Sequence, residues 1–130
     1  MQVKSKKREK MWRINIIVNN FILFGCYLIG AVAVTPAYNH FVQYADGVSP
    51  ENLPVLTATI CSIRFSGIII PVLWLMFSLI FMIRLKNRQG PVLNQWVQLH
   101  TSVSILSGII IVFVYSLAGI LPFLKIGGLI

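Results

Sequence analysis

The chain has 130 residues, of which 57% are apolar and only 11% charged, with a net charge of +8. A water-soluble domain carries about 25% charged residues, so this composition excludes an ordinary soluble surface and indicates an integral membrane protein. The basic excess is not a nucleic-acid patch, because it gathers in two short stretches that flank apolar segments.

Residues 1–13 form a basic tail with Lys4, Lys6, Lys7, Arg8, Lys10 and Arg13. It is expected to be disordered or frayed and to end at the membrane–water interface, where the Trp12 indole and the Arg13 guanidinium are both at home. The first apolar segment follows over residues 14–36. Asn15 and Asn19 are four residues apart and share one helix face. A carboxamide in lipid needs a polar partner, so this face is expected to meet another helix or the headgroups. Cys26, Gly30 and Ala33 make a strip of small residues against which a neighbouring helix can pack closely. The basic start, the apolar run and Ala31-Val32-Ala33 also fit a cleavable leader, but the run exceeds the usual apolar core of about 7–15 residues.

Residues 37–57 are expected to be an extracytoplasmic linker. Tyr38, Phe41 and Tyr44/Ala45 recur at helical spacing. Gly47 and Ser49-Pro50 supply turns, and Pro54 suits the first turn of a new helix. The second span, 58–85, carries nineteen uncharged residues between Arg64 and Arg84. As a helix they cover roughly 29 Å, close to the hydrocarbon thickness of a bilayer. Arg64 lies just before this run, and Asp46 and Glu51 in the linker are its expected partners, pinning loop to helix. Pro71 cannot donate a backbone hydrogen bond, so a kink is expected there.

A basic turn follows at 86–98, broken by Gly90-Pro91, with Trp96 as an interfacial anchor and Asn94 to His100 as the approach to the membrane. The third span is 99–122. Ser104 and Gly108 form a small-xxx-small pair, Pro122 is expected to end the helix, and 123–130 is an outer tail. Nine basic residues (the six of the tail with Arg84, Lys86 and Arg88) stand on one side of the spans, against Arg64 and Lys125 on the other. The positive-inside rule then places the N-terminus in the cytoplasm and the C-terminus outside. The expected fold is all-α, with three transmembrane helices in a bacterial inner membrane.

The chemistry-bearing residues are few. Cys26 and Cys61 form no CxxC or Cys/His cluster, which gives neither a disulfide framework nor a metal site. His40 and His100 fall at opposite ends of spans, roughly 30 Å apart, and cannot share a haem within one chain. No acidic residue falls inside any span, as a proton relay would require. There is no readable Ser-His-Asp or Cys-His arrangement, so no catalytic residue and no cofactor is expected.

Residues 34–57 resemble the membrane-linker segment of the platform proteins of type II secretion and type IV pilus machines, the F-domain family. The matching residues are Val34, Pro36, Phe41, Gly47, Leu53, Pro54 and Thr57. Thr35 separates the valine from the proline that adjoin in the family, and the short 84–96 turn has no room for the family's cytoplasmic helical domain. The resemblance implies a membrane platform or assembly role and transfers no catalytic residue.

The leading expectation is therefore a non-enzymatic membrane subunit that packs against other membrane proteins, or against itself, through small-residue helix faces. Alternatives are an immunity or exclusion protein that reads a pore-former or conjugation machine through its outer loop, a processed pilin-like precursor, and a holin.

Overall fold

A computed structural model of the chain describes residues 2–39, 54–88, 90–126 and 128. The described residues are helical, with no strand among them. Helix α1 runs Gln2–Tyr38, α2 Val55–Ile63 and α3 Ile69–Leu85, with a short 3-10 turn Ser66–Ile68 leading into α3, and α4 runs Pro91–Ile126. Three stretches, Lys6–Tyr38, Ser66–Leu85 and Pro91–Lys125, are long and apolar enough to cross a membrane. Helix is the form such segments must take, because lipid offers no partner for an exposed backbone N–H or C=O. The linker from 40 to 53, which holds Asp46, Glu51, His40 and the expected short amphipathic helix, lies outside the described residues.

Four boundaries differ from the sequence expectation. The basic stretch is not frayed: residues 2–13 are the first turns of α1. Lysine, arginine, glutamate and methionine are good helix formers, and Glu9 accepts from Arg13 at 2.8 Å one turn on. The pair is half exposed and adds only a few tenths of a kcal/mol. Helix α4 begins at Pro91 and not at 99. Gly90, with φ of 77°, makes the left-handed turn, and Pro91 occupies the first helical position, where its missing N–H costs nothing.

Pro122 does not end α4, which continues to Ile126. A proline removes the hydrogen bond to the carbonyl four residues back, here that of Ala118. Thr57 Oγ1 donates to that carbonyl at 2.7 Å, so the helix continues without an orphaned acceptor.

The second span is not one helix kinked at Pro71. Helix α2 stops at Ile63, and α3 starts afresh at Ile69, with Pro71 in its first turn. The proline ring excludes the carbonyl of Gly67 from a regular helix, so the disruption falls upstream, over 64–68. There Ile68 N–H donates to the Phe65 carbonyl at 3.3 Å, closing the 3-10 turn. The Tyr27 hydroxyl lies against the carbonyls of Arg64, in a short contact, and of Phe65, at 3.2 Å.

The chain divides into two compact units. Unit 1 comprises residues 1–25 and 69–108, bringing together the first part of α1, α3 and the first part of α4. Its apolar cluster is Trp12, Ile16, Leu85 and Val97, with Phe81, Met82 and Leu93 packed on it. Unit 2 comprises residues 26–68 and 109–130. Within it Tyr27 meets Tyr115 edge to face, with ring centroids 6.1 Å apart. Ala37 packs against Ala58. A methyl group placed on Gly119 would lie 2.7 Å from the Ala33 carbonyl oxygen, and one placed on Gly30 would lie 2.9 Å from Tyr115 Cβ. The small residues of this unit thus serve close contacts inside the chain.

Candidate functional site: a polar cluster around His100

The most chemically capable group in unit 1 is His100. It is 3% exposed. Trp74, Ser78 and Phe81 follow one another on α3 at spacings of four and three, so they share a helix face. The imidazole lies over that face. It stacks on Trp74 at 5.0 Å and on Phe81 at 5.3 Å between centroids, each with an interplanar angle of 28°. Between the two rings, Nε2 meets Ser78 Oγ at 2.9 Å. On the other edge, Nδ1 meets Asn19 Nδ2 at 3.4 Å.

The protons of the cluster can be assigned one by one. Asn19 Nδ2 carries two hydrogens: one goes to Thr101 Oγ1 at 2.9 Å and the other points to His100 Nδ1. Thr101 passes its own proton to the Val97 carbonyl at 3.0 Å. Ser78 Oγ donates to the Trp74 carbonyl at 2.8 Å, nearer than Asn20 Oδ1 at 3.3 Å. It therefore receives from His100 Nε2–H. Ser104 Oγ donates to the His100 carbonyl at 2.8 Å and accepts from Trp74 Nε1 at 3.0 Å. The neutral Nε2–H tautomer satisfies every one of these bonds.

This pattern is the reverse of a nucleophile–base pair. In a serine–histidine–carboxylate triad an acceptor holds Nδ1–H, which leaves Nε2 bare to take the serine proton. In this assignment a donor faces Nδ1, Nε2 carries the proton, and the serine hydroxyl points to a backbone carbonyl. The cluster can hold helices together and fix their register.

The residues singled out from sequence fall in several places. Asn19 is buried at the centre of the cluster, and Asn15 is exposed at its rim, 3.5 Å from Thr101 Oγ1. Ser104 is fully buried against Trp74, and Gly108 is buried. Pro71 is buried at the start of α3. Gly30 belongs to unit 2, as does Arg64, whose guanidinium lies 3.7 Å over the Tyr38 ring and 4.3 Å over Phe65. Its Nε and Nη1 are buried and have no hydrogen-bond partner among the described residues. The expected pairing with Asp46 or Glu51 lies outside those residues. Sequence reasoning missed Ser78, Trp74 and Phe81, and it weighed His100 only as a haem ligand, which it excluded within one chain, and as the end of an interfacial approach. The signal was there in the three-and-four spacing of the α3 trio and in His100 and Ser104 one turn apart.

No family model matches the chain, and no curated protein or solved structure does.

Proposed function

We propose that the chain is a non-enzymatic, multi-pass protein of a bacterial inner membrane that serves as a subunit of a larger membrane assembly. The observation that carries this reading is the closed hydrogen-bond arrangement around His100. The polar side chains that face inward in unit 1 are committed to one another and to backbone carbonyls, and the outward face of α3 is apolar. On α3, Val72, Leu75, Met76, Leu79 and Ile80 are all exposed. In lipid such a surface meets acyl chains or another helix. The basic residues at one end of the spans support a cytoplasmic N-terminus, and the likeness of residues 34–57 to secretion and pilus platform proteins supports an assembly role.

Photo-crosslinking in intact cells tests the proposal. A photoreactive residue at Leu75 or Leu79 should give a discrete adduct with another membrane protein or a second copy, and blue-native electrophoresis should show the same species. A strictly monomeric band, with no adduct from either position, would overturn it.

A further inference from the structure

Unit 1 also holds a cavity of about 830 Å3 where α1, the 86–90 turn and the start of α4 come together. Arg8, Lys86 and Arg88 line it, together with Trp12, Leu93 and Val97. We propose that this cavity binds the phosphate headgroup of an anionic phospholipid, with the glycerol and the upper acyl carbons on its apolar wall.

Three features point to that class of ligand. The first is charge. Glu9 is the sole acid lining the cavity, and it is bonded to Arg13 at 2.8 Å. Arg8, Lys86 and Arg88 have no carboxylate partner among the described residues. Three cations around one concavity favour a phosphate. The second is the wall: Trp12 and Val97 belong to the buried apolar cluster of the unit. A small inorganic anion gains nothing from such a wall, whereas an amphiphile does. The third is position. The cavity lies where Lys6–Tyr38 and Pro91–Lys125 begin and where Ser66–Leu85 ends, which is headgroup depth if these helices span. The N-terminus of α4 opens on the same cavity and adds its positive dipole end.

Native mass spectrometry of the delipidated full chain in detergent tests this, with phosphatidylglycerol and phosphatidylcholine offered in competition. The intact protein should retain one phosphatidylglycerol in clear preference. The triple variant R8Q/K86Q/R88Q should lose that preference, by roughly fivefold for each charge removed. The variant K4Q/K6Q/K7Q removes the same charge from the tail and should retain the lipid. Equal retention of the two lipids by the unaltered protein, which depends on no variant folding, would overturn the proposal. So would an equal loss in the tail variant, which would mean diffuse attraction. Millimolar inorganic phosphate should leave the bound lipid in place; one-for-one displacement would make the site one for free phosphate and would also overturn the lipid assignment.

Discussion

Both ring nitrogens of His100 are committed to side chains of other helices, and this makes the histidine a keystone of unit 1. Ser78→Ala leaves Nε2–H without its acceptor in a buried site. The variant should lose about 1–2 kcal/mol of stability in reversible unfolding from micelles, the upper range measured for polar contacts between membrane helices. No change would mean that the ring finds another partner. Unit 2 offers a matched pair of tyrosines. The Tyr27 hydroxyl serves the carbonyls at the α2–α3 break, whereas the Tyr115 hydroxyl is buried with no partner among the described residues. Tyr27→Phe should therefore destabilise by about 1–2 kcal/mol, and Tyr115→Phe should be neutral or slightly stabilising. The opposite order in the same unfolding assay would refute the assignment of these hydroxyls.

At the scale of elements, the prolines matter most. Pro71 and Pro122 each lack the N–H that a helix interior uses, and the chain answers differently at the two sites. At Pro122 the freed Ala118 carbonyl is taken by Thr57, and the helix continues. At Pro71 the helix restarts, and a 3-10 turn with a tyrosine cap absorbs the break. The first case makes a quantitative prediction. Thr57→Val should cost about 1–2 kcal/mol in the natural chain. In a Pro122→Ala background the restored N–H reaches Ala118 itself, so the same substitution should cost clearly less. A double-mutant cycle reads this coupling directly, and an identical cost in both backgrounds would show that Thr57 does not stand in for the missing bond.

For the whole molecule, the distribution of basic residues carries an expectation about orientation that labelling can check. In a chain whose Cys26 and Cys61 are replaced by alanine, Lys4→Cys should react with a membrane-impermeant maleimide only after the cells are opened. Asp46→Cys should react in intact cells. Reversed labelling would invert the proposed topology and place the basic cavity at the opposite leaflet.

Much of the fold was legible beforehand because transfer into lipid is nearly additive along the chain. Apolar runs of sufficient length announce three spans without reference to any contact, and the Asn15–Asn19 face announces a polar partner. Local chemistry also placed the start of α2 after Pro54 and the turn at Gly90. What the residues could not reveal in isolation was which helix answers which. The small-residue strip announced a close helix neighbour without naming it; in the structure Gly30 lies against Tyr115, and Gly119 against Ala33 of the strip, all within the same chain. The stretch from Asn94 to His100 read as an interfacial approach because its composition is polar, but His100 is buried under aromatic rings of α3. That α4 runs on through Pro122 depended on a hydroxyl supplied from elsewhere in the chain. Solvent preference belongs to each residue alone, and so it can be read off in order. Register between helices is a relation between residues far apart in sequence, and only their packing determines it.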